Sequence, residues 1–200
     1  AGGGSHSLGL RSDGTVVGWG SNAQGQLNVP ALPLGVAFTA VAAGGNHSLG
    51  LRSDGIVVGW GLNFNGQINV PALPPGTTYV AVACGALQSF ALRSNGTVAA
   101  WGNNDLGQLN VPALPNGVTY TAVSGGASHA VALRSNGTVV AWGNNTSGQL
   151  FVPALPVGVT YTAVASGDLH SAAIRSDGAV VAWGSNAQGQ LNLPALPAGV

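Results

Sequence analysis

Charge is scarce in this sequence. Only 5% of its 200 residues are charged, namely five Arg and five Asp, with no Lys or Glu and a formal net charge of zero. A nucleic-acid-binding protein needs clustered Lys and Arg to neutralise phosphates, and attachment to an anionic membrane needs a similar basic patch. We therefore expect no nucleic-acid partner. Zero net charge also gives little repulsion between copies, which favours self-association.

The side chains that carry most enzyme chemistry are missing as well. Glu is absent and three of the five Asp lie in Asp-Gly turns, so the sequence offers no pair of carboxylates for acid–base hydrolysis. It has no G-x-S-x-G element, and without Lys it cannot form a phosphate-binding P-loop. Cys84 is the only cysteine, which excludes a disulfide framework and a cysteine-based metal site. We expect no enzyme activity, no cofactor and no metal.

Long hydrophobic runs are absent too. Gly and polar residues interrupt the apolar positions every few residues, so no run approaches the roughly 18 apolar residues of a transmembrane helix. We predict no membrane insertion. The sequence has no initiator Met and no signal peptide and opens within a repeated pattern at Ala1, so we interpret it as a processed or excised segment.

The sequence does contain five tandem copies of one 41-residue unit, which is the feature to look for first in such a chain. The tryptophans keep this step without an insertion, at Trp19, Trp60, Trp101, Trp142 and Trp183. Arg and Gln keep it too, at Arg11, Arg52, Arg93, Arg134 and Arg175 and at Gln26, Gln67, Gln108, Gln149 and Gln190. We predict one domain, with repeats of approximately 1–36, 37–77, 78–118, 119–159 and 160–200.

Each unit has the signals of short β-strands. In the third copy, residues 78–83 and 89–93 are two strand candidates, and Asn95-Gly96 predicts a tight primed hairpin turn into a third strand at 98–102. Residues 108–111 predict a looser fourth strand before the Pro112-Ala113-Leu114-Pro115 segment, which cannot continue a central ladder. Four short strands in a unit of this length indicate a β-propeller blade.

We therefore predict an all-β fold, a β-propeller of four-stranded blades. The chain forms either five blades or an arc of a larger ring. It is about one strand shorter than five full units, so one blade of a closed five-bladed ring would be incomplete. The tryptophans are predicted to be the main packing elements between blades, because a large aromatic side chain buries more surface than any other. Small residues at Gly9, Gly50, Ala91, Ala132 and Ala173 would let adjacent blades approach closely.

The unit G-G-N-H-S-L-G-L-R-S-D-G-I-V-V-G-W-G-x-N-x-x-G-Q resembles the repeat of the regulator of chromosome condensation family. This resemblance covers the whole chain and implies a β-propeller, usually seven-bladed, that works as an interaction platform. The continuation G-Q-L-N-V-P-A-L-P is more similar to the bacterial secreted branch that includes the propeller-type β-lactamase inhibitor protein. Nothing in the chain resembles the extra hairpin used for nucleotide exchange by nuclear members, so we do not expect exchange-factor activity.

Differences between the copies are concentrated in two loops, the one between the first two strands and the one after the Trp-Gly pair. Strands that alternate in direction place both loops at the same end of each blade, and variable loops on a rigid scaffold are typical of a recognition surface. Drift at tolerant loop tips is the alternative. The candidate partner-binding residues are Leu62, Phe64, Asn65, Leu87, Asp105, Leu106, Thr146, Asp168 and Leu169.

Four histidines occupy one position of the repeat, and Gln88 replaces them in the third copy. Because Gln is a poor substitute for a metal ligand, we interpret His6, His47, His129 and His170 as hydrogen-bonding residues. The leading hypothesis is a non-enzymatic scaffold, extracellular or on the surface of a bacterial cell, that binds a partner protein through its variable loops. The second is a structural or adhesive repeat protein that associates with itself.

Overall fold

The computed structural model describes residues 1–194, and these form fourteen strands and no helix. None of this part of the chain could cross a membrane as an apolar helix. The strands of the first two repeats are β1 (His6–Leu10), β2 (Val16–Gly20), β3 (Phe38–Ala43), β4 (His47–Arg52) and β5 (Val57–Gly61). Those of the third and fourth are β6 (Tyr79–Cys84), β7 (Gln88–Arg93), β8 (Val98–Gly102), β9 (Tyr120–Gly125), β10 (His129–Arg134) and β11 (Val139–Gly143). The fifth contributes β12 (Tyr161–Ser166), β13 (His170–Arg175) and β14 (Val180–Gly184).

Each repeat folds into its own antiparallel sheet. Repeats two to five are three-stranded meanders, and β1 and β2 form a two-stranded sheet in the first repeat. Ala1 and Leu8 exchange two backbone hydrogen bonds of 2.7 and 2.9 Å, so the start of the chain stands where the other repeats have their first strand. The all-β prediction is confirmed.

The predicted fourth strand at residues 108–111 is not a strand. This segment forms local turns, in which the amide of Asn110 donates to the carbonyl of Gly107 at 3.0 Å and that of Val111 donates to Leu109 at 2.9 Å. Pro112 follows and has no N–H to donate. The amide of Leu109 is also used locally, since it donates to the side chain of Asn104 at 2.8 Å. Because these three amides are not available for a ladder with β8, the four-stranded blade is replaced by three strands and an ordered loop.

The hairpin between the second and third strands also differs from the primed turn that the sequence indicated. In the first repeat the amide of Gly14 donates to Arg11 at 3.0 Å, and the amide of Arg11 donates to Thr15 at 2.8 Å. Gly14 has a φ of 79°, whereas among residues 1–194 no residue other than glycine has a positive φ. The loop is therefore a three-residue connection that ends in a left-handed glycine. The Asp13 carboxylate closes it by accepting the amide of Thr15 at 2.9 Å.

The repeats pack side by side, and the hydrophobic core lies between them. Within residues 1–194 four buried clusters occur, and each combines side chains of two consecutive repeats. One of them brings Phe90, Leu92 and Val98 of the third repeat against Tyr120, Ala130, Ala132 and Trp142 of the fourth. We call the contact between two consecutive repeats a junction and name it by their numbers.

Four of the five tryptophans are buried in these junctions, with side chains 5 to 6% exposed. The indole Nε1 of each donates to the backbone carbonyl of the Gln 34 positions earlier, in the preceding repeat, at 2.8 to 2.9 Å. Trp19 departs from the prediction that all five pack between blades. It has no preceding repeat within the described residues and is 58% exposed.

Two apolar side chains of the fifth repeat are more exposed than their counterparts in other repeats. Ile174 and Val180 are 45% and 42% exposed, whereas Leu133 and Val98, which hold the same positions in the fourth and third repeats, are 9% and 8% exposed. Trp19, Ile174 and Val180 thus expose apolar area of the kind that the junctions bury.

Candidate functional site

The two variable loops lie at the same end of every repeat, as the sequence predicted. The amide of Leu62 donates to the carbonyl of Asn46 at 2.9 Å, and Asn103 bonds Leu87 in the same way at 3.0 Å. All five repeats have this contact between the loop after the third strand and the loop between the first two strands. We call the surface that they form the loop face; it comprises residues 2–5, 21–26, 43–46, 62–67, 84–87, 103–108, 125–128, 144–149, 166–169 and 185–190.

The loop face is continuous across the repeats. The amide of Gly4 donates to Gly44 at 3.0 Å, Gly45 to Ala86 at 3.1 Å, and Ala127 to Asp168 at 3.0 Å. Backbone hydrogen bonds therefore connect, in a series, the loops between the first two strands of neighbouring repeats. We call these the inner loops and the loops after the third strand the outer loops. Such bonds hold the loops in fixed relative positions, which a binding surface requires.

A cavity of about 570 Å³ lies at the centre of the loop face, lined by the inner loops of all five repeats. Its wall is mostly backbone of Gly and Ala, because the loops approach closely there. A Cβ on Gly126 would lie 2.2 Å from Cε1 of His129 and 2.6 Å from the carbonyl oxygen of Gly167. The ionisable side chains in the lining are Cys84 and Asp168. Burial raises the pKa of the Cys84 thiol, which therefore stays protonated at neutral pH.

The outer loops are supported by a buried glutamine in each of the first four repeats. The side-chain oxygen of Gln67, which is fully buried, accepts the amide of Asn65 at 2.9 Å, and that of Gln108 accepts the amide of Leu106 at 2.8 Å. The sequence showed that Gln recurs every 41 residues but did not reveal this role. Because the Gln side chain is used inside the loop, the residues at the loop tip are free to point outward.

The predicted partner-binding residues do lie on this face. Phe64 is 90% exposed, and Leu106, Leu169 and Leu87 are 50%, 40% and 36% exposed. Leu62 is only partly exposed. The polar candidates are all exposed, namely Asn65, Asp105, Thr146 and Asp168.

Sequence reasoning missed Phe151, which is 70% exposed and lies next to the loop of the fourth repeat. A Cβ on Gly148 would be 3.2 Å from its ring. The other four repeats have Asn at this position, and there the Asn side chain accepts a hydrogen bond from a second loop Asn, as in Asn63 to Asn69 at 2.9 Å. The replacement of Asn by Phe in one copy was the signal that could have found it.

The opposite end of each repeat, which we call the turn end, has the hairpin turns and the Pro-Ala-Leu-Pro connections. The amide of Phe38, at the start of β3, donates to the carbonyl of Gly14 at 3.1 Å and connects the hairpin turn of the first repeat to the second repeat. The turn end is less uniform than the sequence indicated, because Leu34 and Val157 are fully exposed there at a position that holds Leu, Pro, Asn, Val and Ala in the five copies.

Charge separates the two ends. The five Arg and three of the five Asp belong to the turn end, whereas Asp105 and Asp168 belong to the loop face. Arg52 and Asp54 form an ion pair, and so do Arg175 and Asp177. No group of three or more His, Cys, Asp or Glu side chains in residues 1–194 is placed to hold a metal ion. Within that part of the chain, the loop face therefore offers apolar, amide and carboxylate groups.

Repeated antiparallel sheets that pack side by side around a central cavity define a repeat protein of the β-propeller class. A family model for the regulator of chromosome condensation (RCC1) repeat matches residues 1–26, 38–67, 79–108, 120–149 and 161–190. The chain therefore belongs to the RCC1-repeat family. No curated protein matches it at a significant level.

Solved structures show the same relationship. Prp20p from Saccharomyces cerevisiae, studied for its binding to Gsp1p and histones, is 25% identical, with a TM-score of 0.80 over 96% of this chain and 58% of its own. Yeast RCC1 (Prp20) in its complex with Kap60 is 26% identical, with a TM-score of 0.79 over 96% of this chain and 57% of its own. Human WBSCR16, at 22% identity and a TM-score of 0.78 over 96% of this chain and 62% of its own, shares the fold. The chain thus spans less than two thirds of each of these proteins.

Proposed function

We propose that this protein is a non-enzymatic scaffold whose loop face binds a partner protein. The observation that carries the proposal is the group of exposed apolar side chains on that face, Phe64, Leu87, Leu106 and Leu169, with Phe151 beside it. Large apolar side chains supply most of the binding energy when a partner excludes water from them. The fixed backbone below them limits the conformational entropy that binding costs.

The related structures support a protein partner. Prp20p has binding properties toward Gsp1p and histones, and yeast RCC1 has been solved with Kap60 bound. This chain differs from both at about three quarters of the aligned positions, so its partner follows from its own loop tips. Two exposed carboxylates with no cation on the loop face favour a partner whose contact surface carries Lys or Arg beside apolar groups.

The test is affinity capture from the source organism with the wild-type chain and two matched double variants. Phe64→Asp with Leu106→Asp places charge on the loop face, and Leu34→Asp with Val157→Asp places the same charge on exposed side chains of the turn end. A specific partner should be retained by the wild type and by the turn-end variant and lost by the loop-face variant. Equal retention by all three proteins would refute the assignment to the loop face.

We further propose that the protein acts outside the cell or at the surface of a bacterial cell. The similarity of the G-Q-L-N-V-P-A-L-P segment to a secreted bacterial branch of the family supports this location. Fractionation of the source cells tests it, since recovery of the protein only from the cytosol would contradict it.

Self-association is the second candidate function, and it is supported by the zero net charge of the chain and by exposed apolar side chains of the first and fifth repeats. Trp19, Ile174 and Val180 expose apolar area of the kind that each junction buries. Light scattering at increasing concentration distinguishes the candidates. Self-association would raise the average mass in the wild type and in the loop-face variant and would be reduced by Trp19→Asp, whereas a constant monomer mass would exclude it.

A further inference from the structure

Each of three junctions contains a buried histidine of one repeat in contact with a serine hydroxyl of the next repeat. At junction 1–2, Nε2 of His6 lies 2.9 Å from Oγ of Ser48, and this hydroxyl donates to the carbonyl oxygen of Gln26 at 2.9 Å. The same carbonyl accepts the indole of Trp60 at 2.8 Å. His47 with Ser89 at junction 2–3, and His129 with Ser171 at junction 4–5, have the same hydroxyl contact at 2.9 and 2.8 Å.

The direction of these hydrogen bonds determines the tautomer of the histidine. The Gln26 carbonyl can only accept, so the single hydroxyl proton of Ser48 points toward it. The hydroxyl oxygen must then accept from His6, which places the ring proton on Nε2 and leaves Nδ1 as a bare lone pair. Nδ1 of His6, His47 and His129 is buried and has no hydrogen-bond partner. A second ring proton would therefore become a buried N–H without an acceptor.

Junction 3–4 lacks both the histidine and the serine of this arrangement. Gln88 replaces the histidine, and Ala130 stands where the other junctions have the serine. The Gln88 amide donates to the carbonyl of Gly126 at 2.9 Å, and its oxygen accepts the amide of Leu87 at 3.1 Å. These bonds are independent of pH in the range in which histidine titrates. The protein thus contains its own non-titrating version of the junction.

We propose that mild acid loosens junctions 1–2, 2–3 and 4–5 selectively, while junction 3–4 remains closed. Protonation of the buried histidine creates an unpaired donor and a desolvated charge next to the serine hydroxyl, which at junctions 1–2 and 2–3 bonds the Gln carbonyl. Opening of the junction exposes the ring to water, which solvates the charge and accepts a hydrogen bond from the unpaired donor. The result is a chain in which the third and fourth repeats stay packed while the outer repeats separate from them.

The surroundings of the histidines oppose protonation in the closed junction, so they favour opening in acid. Burial lowers the pKa of His47 and of His129 from 6.5 to about 4, and it also lowers that of His6. The titratable groups near them are His6 beside His47, His170 beside His129, and the Cys84 thiol near Ser89, which burial keeps neutral. A neighbouring histidine that is also charged would add repulsion.

The direction of the pH effect follows from the pKa of the histidine, which is 6.5 in the open junction and about 4 in the closed junctions of His47 and His129. Above pH 6.5 the ring is neutral whether the junction is open or closed, so the histidine favours neither state. As the pH falls from 6.5 toward 4, the open state takes up a proton that the closed state refuses, and the equilibrium moves toward opening. Below about 4 the closed state is protonated as well and the change ends.

Hydrogen exchange of the indole N–H groups in the full chain tests the proposal junction by junction. Trp60, Trp101, Trp142 and Trp183 report junctions 1–2, 2–3, 3–4 and 4–5 respectively, and each resonance is assigned by a Trp→Phe variant. Between pH 7 and pH 4.5, protection corrected for intrinsic exchange should fall roughly 50- to 100-fold at Trp101 and Trp183, and it should also fall at Trp60. It should hold at Trp142. An equal loss at all four indoles, or no loss at pH 4.5, would overturn the proposal.

Two reciprocal variants provide the controls. His47→Gln with Ser89→Ala copies junction 3–4 into junction 2–3 and should abolish the acid response of Trp101 alone. Gln88→His with Ala130→Ser makes the opposite exchange and should give Trp142 an acid response. If the first variant does not fold, the second still decides the question, since an unchanged Trp142 in a folded Gln88→His, Ala130→Ser protein contradicts the proposed role of the histidine.

Discussion

The indole Nε1 of Trp60 donates a hydrogen bond of 2.8 Å to the backbone carbonyl oxygen of Gln26, in the repeat before it. The side chain of Gln26 holds its own loop, because its oxygen accepts the amide of Gln24 at 2.8 Å. One residue therefore connects the packing between repeats to the shape of the loop face. This relationship recurs at each of the other three junctions and explains how nearly identical repeats form a rigid support for variable loop tips.

Replacement of Trp142 by Phe should destabilise the protein more than replacement of Trp101. The carbonyl of Gln67 would still accept the Ser89 hydroxyl at 2.7 Å, whereas that of Gln108 has Ala130 nearby in place of a hydroxyl and would lose its indole donor. An unpaired buried carbonyl costs about 1–3 kcal/mol. Urea unfolding followed by circular dichroism measures the difference. Trp19→Phe is the control, and it should leave the midpoint unchanged because Trp19 is exposed.

Phe38→Tyr should stabilise the second repeat. In the next three repeats the residue at this position is Tyr, and its hydroxyl donates to a proline carbonyl at 2.6 to 2.8 Å, as Tyr79 does to Pro71. Phe38 is buried at the same position and lacks the hydroxyl. A new hydrogen bond of this kind contributes about 1 kcal/mol. The thermal midpoint should rise for Phe38→Tyr and fall for Tyr79→Phe, and a fall in both would contradict the shared geometry.

Gly126→Ala should be among the most damaging single-methyl additions. The new Cβ would lie 2.2 Å from the His129 ring and 2.6 Å from the Gly167 carbonyl, so both the junction and the wall of the central cavity would have to move. Overpacking of this kind costs about 1–3 kcal/mol. Gly2→Ala is the matched control, since a Cβ there has no atom within 4 Å. Similar unfolding midpoints for the two variants would show that the inner loops are not closely packed.

Much of the fold could be predicted because the repeat aligns five versions of each position. The strand predicted at 98–102 is β8, and that predicted at 89–93 is β7 without its first residue. The fourth strand was wrong because the apolar residues at 109 and 111 support a loop as well as they would a strand. The alternative is decided by where the amides bond, and sequence patterns do not show this.

The same reasoning predicted where the loop residues lie, but it did not predict the hydrogen bonds that hold the loops in place. The positions of Phe64 and Leu106 on one face follow from the alternating direction of strands. The role of Gln67 beneath the loop depends on a side-chain hydrogen bond to an amide two residues away. The pairing of His47 with Ser89 joins residues 42 positions apart in different repeats, which only the packing of one sheet on the next brings together.

Iodide quenching of tryptophan fluorescence tests the arrangement of the repeats most directly, because iodide reaches only exposed indoles. The structure buries four tryptophans in junctions and leaves Trp19 accessible. We predict that a single accessible component, from one of the five tryptophans, is present in the wild type and disappears in Trp19→Phe. Undiminished quenching in Trp19→Phe, or quenching of several tryptophans alike, would contradict the account in which each repeat buries its tryptophan against the repeat before it.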